Sequence, residues 1–150
     1  IRQITFEEIL PMWQKLWPGR KSPIEPVTSM LYRGGYDLDI KTRYAPTFLG
    51  VYDEDDPDLL VAVNSGVQTG SGLYRSRGLF VLPEHRGKGH AEWLLRETID
   101  QAVTEGCSAV WSVPRKDALP VYKKVGFVQS SPWFDDVVEF GPNCYVILHV

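Results

Sequence analysis

The 150 residues suit one domain with a core of its own, and 43% hydrophobic with 23% charged residues is an ordinary globular balance. A formal net charge of −3 argues against a nucleic-acid partner, which calls for a basic face, and fits a cationic substrate. No apolar run approaches transmembrane length and no signal-peptide pattern is present, so a membrane partner is not expected.

Ile1–Ile4 reads as a short first strand. Thr5-Phe6-Glu7-Glu8 then has the form of a capping box, with Thr5 as N-cap and Glu8 three residues on. Phe6, Ile9, Leu10, Trp13, Leu16 and Trp17 follow at helical spacing. Pro11 removes an amide donor and crowds the carbonyl of Glu7, which predicts a kink or a later helix start. Pro18-Gly19 ends the segment. Gly19–Ala45 is irregular, with a helix expected near Val27–Arg33. Strands are predicted over Pro46–Tyr52 and Leu59–Val67, joined by the acidic tip Asp53–Asp58, a charged turn that discourages edge pairing.

A third long strand is predicted over Gly72–Leu82 and a helix from Gly89 to Glu105. The helix carries Ala91, Leu94, Leu95, Ile99, Ala102 and Val103 on one face and Gly106 just past its end. Ser108–Val113 reads as a buried strand. Asp117 is the expected cap of a short helix with Pro120 at its third position, closed by Gly126. Phe127–Ser130 and Cys144–Val150 complete the strands, the last either internal or paired across a dimer. Cys107 and Cys144 read as two buried free thiols of a cytoplasmic protein, with one long-range disulfide as the alternative. His85, His90 and His149 show no ligand spacing with each other or with cysteine, so no metal site is expected.

Arg86-Gly87-Lys88-Gly89-His90-Ala91 lies between the third long strand and its helix. The first amides of a helix have no intrahelical partner and carry partial positive charge. Glycines let that backbone approach a bulky anion, so the turn is a candidate phosphate cradle. It lacks the spacing of a P-loop.

The same residues resemble the Arg/Gln-x-x-Gly-x-Gly/Ala motif of the GNAT acetyltransferase family, and Leu79-Phe80-Val81-Leu82-Pro83-Glu84 resembles the strand that leads into it. Ala118-Leu119-Pro120-Val121-Tyr122-Lys123-Lys124-Val125-Gly126-Phe127 resembles the family's second signature, with Ala and Tyr four apart and Gly-Phe closing the helix. The likeness runs from about Leu73 to Phe127. It implies a single α+β (mixed α/β) GNAT-like domain over residues 1–150, with a central, mainly antiparallel, splayed sheet flanked by helices. It also implies acetyl-CoA as donor and a small-molecule, peptide or protein amine as acceptor. By that likeness the backbone of Leu79, Phe80 and Val81 meets the pantetheine arm as an added strand, with a bulge near Phe80 aiming one amide at the thioester oxygen. The amides of Gly87 to Ala91 and of Glu92 hold the pyrophosphate, with Lys88 either near phosphate or solvated. Tyr122 matches the tyrosine that stands near the sulfur, placed to protonate the departing thiolate.

Two positions depart from the family pattern. Arg115 replaces an Asn that binds the cofactor in many relatives, and Val110 or Trp111 falls where some relatives carry a glutamate base. Proton removal is left to a water relay through backbone carbonyls or Ser112, or to Glu139. The acceptor pocket is expected between the irregular segment and the ends of the central strands, lined by Tyr32, Arg33, Tyr44, Tyr74, Arg75, Trp111, Trp133 and Phe134, with Asp135-Asp136 beside it. The leading reading is an N-acetyltransferase working in a ternary complex, as monomer or homodimer. A non-catalytic acyl-CoA-binding or sensing module on the same fold is the alternative, and a phosphate-clamping nucleic-acid module is a more distant one.

Overall fold

The computed structural model describes every residue except Glu139. Seven strands form one sheet: β1 (Arg2–Ile4), β2 (Thr47–Tyr52), β3 (Leu60–Gly70), β4 (Leu73–Val81), β5 (Ala109–Ser112), β6 (Val128–Gln129) and β7 (Val146–His149), in the order β1-β2-β3-β4-β5-β7-β6. All neighbours are antiparallel except β4 and β5. β7 is internal, between β5 and β6. The helices are α1 (Phe6–Leu16), α2 (Ile40–Arg43), α3 (His90–Thr104) and α4 (Leu119–Val125). Among the described residues no helix is long and apolar enough to cross a membrane.

The capping box forms as expected. The Thr5 hydroxyl accepts from the amide of Glu8 at 3.2 Å, and the Glu8 carboxylate accepts from the amide of Thr5 at 3.1 Å. These reciprocal bonds start α1 at Phe6, so the helix runs through Pro11 rather than beginning after it. Three other expectations are corrected. No helix forms over Val27–Arg33. Met30 pairs with Tyr36 instead, and Asp37 N–H donates to Ser29 O at 2.7 Å across a turn that Gly34 and Gly35 take with positive φ. Asp117 does not cap α4: the amides of Ala118 and Leu119 both donate to Arg115 O at 3.1 Å, so the helix needs no side-chain cap, and Pro120 stands in its first turn. Val103 is 55% exposed, and Thr98 takes a place on the buried face of α3 by turning its hydroxyl back onto Leu94 O at 2.8 Å. Cys107 and Cys144 are free and buried.

β4 is the strand that positions everything downstream. It pairs with β5 only over Leu73–Arg75, opposite Ala109–Trp111. On its other side, Val63 faces Phe80 and Ser65 faces Arg77, so two steps on β3 match three on β4. The extra residue is a bulge at Gly78-Leu79, one step from the expected position near Phe80. Gly78 has φ 82°, and Trp13 Nε1 donates to its carbonyl at 2.9 Å. A Cβ at Gly78 would stand 2.2 Å from that indole nitrogen. Gly78→Ala is therefore expected to lower unfolding free energy by about 2–4 kcal/mol, from overpacking and a left-handed backbone. Chemical denaturation checks this, and an unchanged midpoint contradicts the close approach.

Candidate active site

Beyond Arg75 the two parallel strands part, and a cavity of about 890 Å³ opens between them. Its floor at one end is the β4 run Gly78–Val81, and its far end reaches Gly87, Gly89, His90, Ala91 and Glu92. The other walls come from Leu16 at the end of α1 and Trp17 and Arg20 after it, from Thr28 and Met30, and from Ser112–Arg115, Ala118 and Tyr122.

The turn at residues 86–91 has the backbone form its glycines predict. Gly87 and Gly89 adopt φ 79° and 84°, and Gly89 is the N-cap of α3. The first helical amide with a backbone acceptor is that of Trp93, which donates to Gly89 O at 3.0 Å. The amides before it in the first turn thus lie at the end of the cavity without helical partners. Arg86 reaches backward, its Nε donating to Val81 O at 3.0 Å while its guanidinium sits 5.9 Å over the Phe80 ring. Lys88 lies off the cavity wall, with Nζ 3.5 Å from His85 Nδ1. Glu92 is bridged by Arg96 at 3.0 Å and by Lys124 at 3.3 Å, and bonding to Arg96, then Lys124, lowers its pKa.

Tyr122 is 2% exposed. Its hydroxyl lies 2.9 Å from Ser76 Oγ on β4 and 3.0 Å from Ser112 Oγ on β5. Ser112 Oγ also stands 2.7 Å from Ser76 O, tying the strands together where their backbone pairing has ended. Asn64 donates to Ser76 Oγ at 2.9 Å and to Thr98 Oγ1 at 3.0 Å. One hydroxyl has one proton. With Ser112 donating to Ser76 O, the phenol donates to a serine hydroxyl and stays protonated. Burial pushes its pKa up, against a smaller downward pull from Ser112, Ser76 and Arg75.

Alternation on β4 sends Ser76 toward Tyr122 and Arg75 and Arg77 to the opposite face. Both arginines line the cavity. Burial lowers Arg75 to about 10, and burial with repulsion from Arg75 and Arg20 lowers Arg77 to about 9, so both are cationic at neutral pH.

The cavity thus gathers Leu79, Phe80, Val81, Arg86, Gly87, Gly89, His90, Ala91, Glu92, Arg115 and Tyr122. Arg115 Nη2 donates to Leu16 O at 3.5 Å, joining the site's two sides. The expected acceptor residues lie elsewhere, apart from Arg75. Tyr32 donates to Ser130 Oγ at 2.6 Å, and Arg33 bonds Ser130 O. Tyr74 packs with Leu95, Ala102 and Tyr122 in the core. Trp111 is buried, with Nε1 donating to Thr69 Oγ1 at 3.1 Å. Trp133 is exposed, with Lys116 Nζ 5.4 Å over its ring. Tyr44 packs against Val27, Ile40 and Val67, and Phe134 against Tyr145. Glu139 lies outside the described residues. Ser76, Arg77, Leu16, Trp17, Thr28 and Met30 were not anticipated. Arg75 and Arg77 at alternate positions of a central strand were the available signal, since buried unpaired charges are costly and rare.

Residues 6–127 match the model of the acetyltransferase (GNAT) family. A candidate N-acetyltransferase from Lactobacillus plantarum superposes over 99% of this chain and 97% of its own, with a TM-score of 0.71 and 14% identity. An IAA acetyltransferase from Bacillus cereus superposes over 70% and 78%, with a TM-score of 0.60 and 18% identity. A Bacillus subtilis acetyltransferase in complex with CoA does so over 70% and 77%, with a TM-score of 0.58 and 15% identity. No curated protein matches the sequence.

The raised phenol pKa has a measurable sign. Tyr122 contributes stability that is whole below the unfolded pKa of about 10 and is lost as pH rises through the higher folded value. The ultraviolet titration difference between wild type and Tyr122→Phe is expected to stay silent to above about pH 10. A phenolate signal below about pH 9 would contradict the burial.

Proposed function

The chain belongs to the acetyltransferase (GNAT) family, and from that premise we propose that it is an acetyl-CoA-dependent N-acetyltransferase that moves the acetyl group to a primary amine by direct attack in a ternary complex. The observation that carries this reading is one continuous cavity, running from the glycine-rich amide turn, along the free edge of Gly78–Val81, to the face of Tyr122.

Acetyl-CoA supplies the acetyl thioester. The amides of Gly87 to Glu92 suit its pyrophosphate: they combine helix-end charge with glycines at Gly87 and Gly89 that leave open space where side chains would project. The β4 edge beyond the bulge offers backbone groups to the pantetheine amides, as an added strand would use them. A backbone amide at the bulge faces the charge that develops on the carbonyl oxygen. The amine nitrogen forms the new N–C bond as the C–S bond breaks, and the amine proton leaves through water or Ser112. Tyr122 gives its proton to the sulfur. Ser76 Oγ can turn to donate to the transient phenolate, the Arg75 charge stabilises it, and a proton from water restores the phenol. Cys107 and Cys144 are buried with thiol pKa values raised by burial, so neither suits a covalent acetyl-cysteine route.

A non-catalytic acyl-CoA-binding module is the rival. Arg115 at the position of the family Asn favours it. CoA release from acetyl-CoA with an amine panel separates the two, because the rival binds without release. Tyr122→Phe is expected to lower kcat by about 10²–10⁴-fold, with acetyl-CoA affinity unchanged. Equal loss of both would count against an acid role. Gly89→Glu is expected to abolish acetyl-CoA binding in calorimetry. Gly89→Ala brings the same left-handed strain without the charge and is expected to weaken binding less.

A further inference from the structure

Arg75 and Arg77 put two buried positive charges on the cavity wall with no described carboxylate at ion-pair distance. Their relative exposures are 8% and 6%. Arg77 is held by neutral groups: Nη1 donates to Glu25 O at 2.9 Å, and the guanidinium lies 4.8 Å over Trp13 and 5.0 Å over Trp17. Arg75 Nη1 donates to Thr28 Oγ1 at 2.7 Å, its guanidinium lies 5.1 Å over Trp111, and its Nε is buried without a partner among the described residues. Carbonyls, a hydroxyl and ring faces orient a guanidinium but do not neutralise it. A buried unpaired charge is expensive, and two on adjacent same-face positions repel as well.

The cofactor phosphates are not the missing partner. β4 runs toward the amide turn at about 3.3 Å per residue, which puts Arg77 and Arg75 roughly 13 and 20 Å upstream of Val81. Arg75 stands in the first half of β4 and Arg77 at its middle, away from the phosphate cradle and on the wall shared with α1 and Thr28.

We propose that the acceptor is an amine that carries its own anionic group, a carboxylate or a phosphate, held by Arg75 and Arg77. This rests on the acetyltransferase reading. Both arginines line the cavity, and the guanidinium fork matches either anion through paired N–H donors. The acceptor's amine then extends from these charges toward the opening beyond Ser76, where β4 and β5 part. The chain's overall negative charge does not describe this wall. A polyamine or other purely cationic amine would bring positive charge against two arginines that cannot lose theirs.

The test uses the full chain and matched acceptors: α-amino acids each against the decarboxylated amine of the same skeleton, and phosphoethanolamine against ethanolamine. CoA release should favour the anionic member by about 10–100-fold in kcat/KM, the range for hydrogen bonds to a charged group. The favoured pair identifies the anion. Arg75→Met and Arg77→Met should collapse that ratio toward one. If either fails to fold, Arg75→Lys and Arg77→Lys keep the charge, lose the fork and should lower the ratio part of the way. Equal use of neutral and anionic amines overturns this inference and leaves the acetyltransferase intact. If no amine releases CoA, the acetyltransferase reading falls, and calorimetry on CoA-loaded protein decides the rest. Binding of an anionic amine but not its neutral partner, lost in the Met variants, supports the anion site, and absence of such binding overturns it.

Discussion

The indole of Trp13 donates to the carbonyl of Gly78 across 2.9 Å, and this contact sets the course of β4 past its shared register with β5. A strand that continued to pair would close the sheet and leave no cavity. The bulge at Gly78-Leu79 turns the strand instead, and only glycine fits between that backbone and the indole. Trp13 is itself fully buried among Ile9, Phe48 and Val63, so the core of one half of the molecule holds the edge of the site in the other. The bulge, the glycine and the tryptophan form a single device for opening a sheet without exposing its core.

Where the strands part, hydroxyls take over from backbone pairing. Ser76, Ser112 and Tyr122 form a compact group at the apex of the opening, and Asn64 extends it to Thr98 on α3. Each member is nearly inaccessible, so each bond forms in a medium of low polarity and is directional. The phenol is thereby kept protonated and aimed. A solvated tyrosine would have the same chemistry without the orientation.

Charge is distributed unevenly over the fold. The chain is net negative, and its acids concentrate in the exposed turn Asp53–Asp58 and other surface segments. Arginines instead gather along the cavity at Arg20, Arg75, Arg77, Arg86 and Arg115. Tryptophan rings back Arg20, Arg75 and Arg77, and carbonyls accept from Arg86 and Arg115. A cavity lined this way carries positive charge along its length. A net charge summed over the whole sequence conceals that.

Much of the frame was legible in the residues. The capping box at Thr5, the face of α3, the acidic turn, the glycine pair at Gly87 and Gly89 and the Tyr122 signature are local patterns, set by backbone conformation and short spacing. The predicted helix near Val27–Arg33 failed because a cross-turn pairing of Met30 with Tyr36 supplied the backbone bonds instead. The aromatics expected near the acceptor lie outside this cavity for a related reason: Tyr32, Tyr74 and Trp111 have partners in the core or across a loop. Only the tertiary structure brought Trp13 to Gly78, 65 residues away, and Tyr122 to Ser76, 46 away. It alone turned Arg75 and Arg77 toward the cavity. Side chains on a strand alternate faces, and a slip of one residue in register would have exchanged them with Ser76. Composition and spacing determine which groups a strand carries, whereas pairing with distant partners decides the face each group occupies.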